Sequence, residues 1–426
     1  MPIKIVKLLV SLFMIMTVLF AGTKKPKQPL EDSDMLGLPI YYYDIGTFPM
    51  VSRDSVKVVI KTKVPFDALQ FIKKGDIFTA SYELSILIVD ENDNKHASKI
   101  WKQNLQTESY YETNSQQLFD INEVIFRLLP GKYKLTLSIL DLDTKKKYIR
   151  RDEINVADFY EKPLTISTID IIEQVLTDEQ GKPDDISSID GDINDRQADF
   201  VVRFDILSDG GIADIGYRIV TQDEKVVIKE TFTDTLNSGI TNQRLTISRK
   251  SLGYSKYKIV IEVAMGEDQV SRSRVFNLRW IGMSKLIDDL DAAIEQMKYI
   301  VHSKKFKKLK KASAKEKKNE FIKFWENMDP TPETEENELM NEYYRRVRYA
   351  NAHFSGFTEG WKTDMGMIFI LFGPPNDIER HPFELHSKPY EIWYYYDINK
   401  TFIFVDETGF GDYRLTEPYY ENIFRY

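Results

Sequence analysis

From Ser55 onward the chain reads as short apolar runs that alternate every second residue, divided by turn signals. "SVKVVIKTKV" alternates, and "FTASYELSILIVD" is a long strand that ends in the Asn/Asp-rich "ENDNK". "LLPGKYKLTLSILD" gives a Pro-Gly turn and a further strand. The pattern restarts at "PLTISTIDII" and runs through "ADFVVRFDILSD", "IGYRIVTQDEKVVIKETFTD" and "YKIVIEVAMGEDQVSRSRVFNLRW". Each set spans about a hundred residues, the size of an immunoglobulin-like module. The chain is therefore expected to hold two antiparallel β-sandwich modules, at 51–162 and 163–281. No repeat relates their sequences.

After Trp280 the period becomes helical. Leu286, Leu290, Ile294, Met297 and Val301 form one apolar stripe. A lysine-dense connector follows, and Ser313 with Glu316 is a capping-box signature. The next helix carries Phe321, Phe324, Trp325 and Met328 on one face, until "DPTP" stops it. Thr334 is placed to cap another helix, with Leu339, Tyr343, Val347, Ala350 and Phe354 inward. Strands are expected again at "MIFILF", "YEIWYYYD", "TFIFVD" and "DYRL", which makes 282–426 an α+β domain.

The N-terminus has a basic start (Lys4, Lys7), an apolar stretch from Leu8 to Ala21, and a lysine-rich polar segment behind it. The stretch is short of the roughly 20 residues of a spanning helix. Residues 1–23 are expected to be a cleaved signal peptide, the alternative being a retained anchor, and 24–50 a lead-in segment. "LFAGT" resembles a lipoprotein processing box, but Thr23 stands where a lipidated Cys belongs. The chain has no Cys and five His, so thiolate chemistry, disulfides and Cys-held zinc are excluded. A net charge of −8 argues against nucleic acid as a partner.

The segments "FWENMDPTPETEENELMNEYYRRVRYANAHFS", "GWKTDMGMIFILFGPPNDIER", "YEIWYY" and "FIFVDETGFGDYRL" occur in one order. Together they resemble the GWxTD domain family over roughly residues 310–415, with Gly360, Trp361, Thr363 and Asp364 as the naming motif. The resemblance implies an exported protein of Gram-negative bacteria, periplasmic or outer-membrane associated, without an assigned biochemical role. Met365 and Met367 depart from the basic or aromatic residues common there.

Gly360, Gly366 and Gly373 suit positive φ or close backbone approach, and Thr363 and Asp364 suit bonds to local amides. The leading expectation is a non-enzymatic scaffold or recognition protein of the cell envelope that binds a protein or a glycan. Trp361, Thr363, Asp364, Trp393 and Tyr395 are its binding candidates, within a late aromatic cluster that also holds Tyr394, Tyr396, Phe402, Phe404 and Phe410. One face of any such strands must pack inward, so half the cluster is expected in the core. The alternative is a hydrolase of envelope polymers, with Asp364 as acid or base and Asp377, Glu379 or His381 as partner within about 10 Å.

Weaker chemistry comes from other stretches. His381 and His386, with His353 or Glu384, would make a poor zinc site. Asp190, Asp192 and Asn194 have the spacing of a calcium loop, but Asp195 replaces its Gly and Val201 its bidentate Glu. Lys304 to Lys318 is a solvated helix face or a peripheral contact with anionic lipid, lipopolysaccharide or a teichoic-type polymer. No phosphate loop, dinucleotide fingerprint or nucleophile elbow occurs, and no cofactor is expected.

Overall fold

The structure is a computed structural model that describes residues 38–419 apart from 116, 176–184, 195–198, 281, 333–336 and 383–386. The proposed signal peptide, lead-in residues 24–37, Thr334, Glu384 and His386 lie outside the described residues. The chain is mostly β, in several sheets, with a helical and β region at its C-terminal end.

The first eight strands are β1 (Tyr42–Phe48), β2 (Val56–Pro65), β3 (Ile72–Lys74), β4 (Ile77–Asp90), β5 (Lys95–Thr107), β6 (Phe119–Leu128), β7 (Gly131–Asp141) and β8 (Lys147–Val156). One sheet has the order β1-β2-β6, and a second has β3-β4-β7-β8 with β5 also on β4. Alternation decides which side chains face inward. Ala80, Tyr82, Leu84, Ile86 and Ile88 of β4 and Leu135, Leu137 and Ile139 of β7 share one core with Val58, Ile60 and Val124 of the first sheet. Both sheets thus close over the same apolar layer.

The next ten strands are β9 (Leu164–Ile166), β10 (Asp170–Gln174), β11 (Ile186–Ser187), β12 (Asp192–Ile193), β13 (Asp199–Ser208), β14 (Gly211–Thr221), β15 (Val226–Leu236), β16 (Gly239–Ser248), β17 (Lys256–Met265) and β18 (Asp268–Leu278). They form sheets of order β11-β10-β13-β16, with β9 on β13, and β12-β18-β17-β14-β15. Phe200, Val202, Phe204 and Ile206 meet Ile215, Ile219, Ile259, Ile261 and Phe276 in the core between them.

The C-terminal region holds α1 (Leu290–Gln296), α2 (Ser303–Lys311), α3 (Ala314–Glu326), α4 (Glu338–His353), α5 (Asp364–Phe372) and strands β19 (Asp377–His381), β20 (Tyr390–Tyr395), β21 (Lys400–Asp406) and β22 (Tyr413–Leu415) in sequential order. The capping box opens α3: Ser313 Oγ accepts from the Glu316 amide and Glu316 accepts from the Ser313 amide. Asn337 caps α4, accepting from the Met340 amide at 2.7 Å. The lysine-dense connector is itself a helix, α2, anchored by buried Leu309.

The largest departure from the sequence reading is "MIFILF", which is not a strand. It is α5, with Met365, Ile368, Phe369 and Ile370 buried between α4 and the last sheet. A short apolar run carries no period of its own, so its ends decide. Thr363 Oγ1 accepts from the Gly366 amide at 3.0 Å, and Gly373 ends the helix at φ 80°. A second departure is β19, an edge strand at Asp377–His381 that was not among the strands expected.

Candidate functional site

The motif Gly360–Asp364 runs from a tight turn, Gly360–Lys362, through the cap Thr363 into the first residue of α5. A Cβ on Gly360 would sit 1.9 Å from the Ala350 carbonyl oxygen, and one on Gly366 would sit 1.9 Å from the Gly360 oxygen. The backbones of α4, the turn and α5 therefore touch where only glycine fits. Thr363 Oγ1 donates to the Gly360 carbonyl at 2.7 Å while it caps α5. Trp361 is buried, its amide donating to Asn351 Oδ1 at 3.0 Å and its carbonyl accepting from the Tyr299 hydroxyl at 2.7 Å. Asp364, half-buried in the first turn of α5, accepts from the Leu415 amide of β22 at 2.9 Å. Its charge also suits a helix N-terminus. Every named residue of the motif thus joins two pieces of backbone.

Beside the motif, Lys298 Nζ lies 4.5 Å from the Tyr299 ring centroid and 4.8 Å from that of Trp361. Burial and neighbouring Lys362 lower the Lys298 pKa, against the pull of Asp364 and Glu295. Burial and the Asp364 charge raise that of Tyr299. Lys298 and Tyr299, which feel the Asp364 charge, had not been selected from the sequence.

The hydrolase partners stand elsewhere. Asp364 meets β22 at one edge of the last sheet, whereas Asp377, Glu379 and His381 are on β19 at the other edge. Three strand spacings separate those edges, about 14 Å. His381 stacks on Tyr390 at 4.3 Å and pairs with Glu379 at 3.2 Å. His353 stacks on Tyr349. Among the described residues no group of three or more His, Asp or Glu is placed to hold a metal.

Three of the binding candidates also need correction. Trp361, Trp393 and Tyr395 are 4%, 2% and 4% exposed, so they are not open to a partner. Alternation puts Trp393, Tyr395, Phe402 and Phe404 on the inner face against α5. Trp393 Nε1 donates to Glu391 at 3.0 Å, and the Tyr395 hydroxyl donates to the Gly373 carbonyl at 2.8 Å.

The outer face carries the other half of the cluster. Asp377, Tyr394 and Thr401 form one cross-strand row, Glu379, Ile392 and Ile403 the next, and His381, Tyr390, Val405 and Arg414 the third. Tyr394 donates to Glu379 at 2.8 Å and lies 6.0 Å from the Tyr396 ring at an interplanar angle of 21°. Tyr396 is 63% exposed, and Ile392 and Ile403 belong to none of the described hydrophobic clusters. At the end of this sheet the β21–β22 loop holds Phe410 out, 83% exposed. Asp406 shapes that loop by accepting from the amides of Gly409 at 2.9 Å and Gly411 at 2.7 Å. Burial works against its charge, but the Gly411 amide, Thr408 and the Gly409 amide outweigh it and hold the carboxyl below the usual range.

Residues 285–421 match the family model of the GWxTD domain. The chain carries a GWxTD domain. No curated protein matches the chain. Among solved structures it is similar to dimeric latent PorU from Porphyromonas gingivalis, at 11% identity over 55% of this chain and 20% of that one, TM-score 0.25. It is similar also to a glycosyl hydrolase family 2 member from Bacteroides cellulosilyticus, at 9% identity over 52% of this chain and 28% of that one, TM-score 0.22. A β-D-mannosidase from Dictyoglomus thermophilum shows 12% identity over 53% of this chain and 29% of that one, TM-score 0.20. The chain spans less than a third of each of these three structures. Among the described residues no helix is long and apolar enough to cross a membrane.

The GWxTD domain is tied to the preceding sheets by buried ion pairs that the sequence reading missed. Asp190 pairs with Lys63 of β2 at 3.1 Å and with Lys285, at the start of the domain, at 3.0 Å. Asp192 accepts from Asn277 at 2.8 Å and Arg279 at 2.9 Å. Asn194 donates to Glu173 at 2.5 Å. These are the residues read as a calcium loop; protein cations and amides occupy the carboxylate oxygens of Asp190 and Asp192, and Asn194 is a donor. Burial opposes charge on Asp190, but Lys63 and Lys285 outweigh it and hold its carboxyl well below the usual range. A second cluster joins Asp170 to Lys61 of β2 and to Arg203, both at 2.8 Å. Arg274 reaches Asp44 of β1 at 2.8 Å. Three sheets and the GWxTD domain thus share one ionic seam.

Proposed function

We propose that this protein is a non-catalytic scaffold or recognition protein of the cell envelope, exported to the periplasm or outer membrane of a Gram-negative bacterium. The two N-terminal units, read as immunoglobulin-like sandwiches at 51–162 and 163–281, carry the GWxTD domain, which docks an envelope protein or glycan. The observation that supports this reading is the outer face of the last sheet, where Tyr394, Tyr396, Ile392 and Ile403 lie together with Glu379 at their edge. Tyrosine offers a flat apolar body with a polar tip, which suits both a protein hot spot and a stacked sugar ring.

Hydrolysis at Asp364 has less behind it. Its carboxylate already accepts the Leu415 amide, and its charge acts on Lys298 and Tyr299.

The test replaces Tyr394→Ser and Tyr396→Ser together in the full chain. Binding to isolated envelope glycan and crosslinking to envelope proteins are then measured in parallel. Hot-spot tyrosines contribute about 2 kcal/mol each on truncation, so the retained ligand should weaken at least tenfold. Identical glycan binding and identical crosslinks in both forms would overturn the reading. Loss in one arm alone tells which ligand class the face takes.

A further inference from the structure

We infer that α2 is a docking surface for an anionic phospholipid bilayer, separate from the tyrosine face. At about 100° per residue, Lys304, Lys307, Lys308 and Lys311 fall within an arc of roughly 100° on one side of this helix. Leu309, buried, and Phe306, half-buried, lie on the opposite side and fix the helix to α1 and α3. The two flanking lysines are engaged: Lys305 lies 5.7 Å from the Phe324 ring, and Lys310 pairs with Glu295 at 2.6 Å. The four outward ones are exposed. The side chains of Lys304, Lys307 and Lys311 have no ion-pair partner among the described residues, and Lys308 has only the field of Glu316, which caps α3.

This stripe is costly in the free protein. Like charges three and four positions apart repel along a helix, and α2 has no acidic residue in its first turn. A chain of net charge −8 nonetheless gathers these cations on one short helix. An anionic plane satisfies all four at once, because they project together from one side of the helix. The apolar stretch Leu8–Ala21, as signal or as anchor, brings the chain to a bilayer in either case.

The full chain is mixed with vesicles of phosphatidylglycerol and phosphatidylcholine, or of phosphatidylcholine alone, and sedimented. Lys4, Lys7 and the lysine-rich segment behind the apolar stretch also favour anionic lipid, so the part of the difference that is lost on replacing the four α2 lysines reports that helix. The account predicts preference for the anionic vesicles, weakening as salt shortens the screening length. Joint replacement Lys304→Gln, Lys307→Gln, Lys308→Gln and Lys311→Gln should lower that binding by up to roughly a thousandfold. The corresponding four Lys→Arg changes should keep it. Equal binding to both vesicles, indifference to salt, or binding to soluble polyphosphate but not to vesicles would each overturn the proposal. A melting curve checks that the Gln form is folded. Should it not be, the single change Lys307→Gln should weaken anionic binding about fivefold while Lys307→Arg keeps it, and equal binding of the two would overturn the proposal.

Discussion

Gly360→Ala is expected to unfold the GWxTD domain. The added methyl would lie 1.9 Å from the Ala350 oxygen, 2.6 Å from its carbonyl carbon and 3.0 Å from the Asn351 Cα, all backbone atoms of α4. A flexible side chain would move aside; the end of a packed helix cannot. To admit the methyl, the turn must lift off α4, which pulls buried Trp361 from its pocket and breaks the Tyr299 bond to its carbonyl. Clashes of this kind stand at the far end of single-substitution effects, about 4 kcal/mol or more. Domain stabilities of roughly 5–15 kcal/mol leave little after such a loss. Thermal melting followed by near-ultraviolet circular dichroism reads it through the buried tryptophans. A melting temperature equal to that of the parent would show that the α4–α5 contact is not as close as described.

Asp190→Ala should destabilise the seam between the sheets and the GWxTD domain nearly as much. The change leaves Lys63 and Lys285 facing each other without the carboxylate that both contact. Removing one partner of a buried pair costs about 3–5 kcal/mol, because the remaining charge is left uncompensated. Lys285 is 32% exposed and recovers some hydration, so the lower end of that range applies. Adding Lys285→Met to Asp190→Ala should restore part of the loss. The same seam sets an acid limit. Asp190 and Asp170 titrate lower in the folded chain than in the unfolded one, near 3.9 for a free Asp. Their contribution is therefore complete above that value and is lost as pH falls through the folded pKa. Burial raises Glu173, which works with the opposite sign: its contribution is present at low pH and fades as pH rises through its folded pKa. Melting measured between neutral pH and pH 3 should show a steeper acid loss in the parent than in Asp190→Ala. Parallel curves would rule out a role for Asp190 in that loss.

The strands of the first two units were legible because one face of each is buried, as in β4, where every second residue from Ala80 to Ile88 is in the core. The inner face of α4 and the capping box of α3 were legible for the same kind of reason: the signal is local and periodic. α5 was not, since its apolar run is buried on most sides and shows no stripe. Its real markers were Thr363 before it and Gly373 after it. The ionic seam was beyond a sequence reading. Asp190 meets lysines 127 and 95 residues away, and only the fold brings them together. At the motif, residue types suggested turn-building, while the buried state of Trp361 depended on α1 and α4 packing around it. The split of the late aromatics followed from strand alternation, but which half faced outward required α5 to be a helix on the inner side.

The central claim is that the GWxTD motif braces α4, α5 and β22, and that recognition belongs to the outer sheet face. Asp364→Ala separates the two most directly when melting and ligand binding are measured on one preparation. The account predicts a lower melting temperature, from losing a charge-assisted bond to the Leu415 amide worth about 1.5–3 kcal/mol, with binding retained below the melt. An unchanged melting temperature together with lost binding would contradict it.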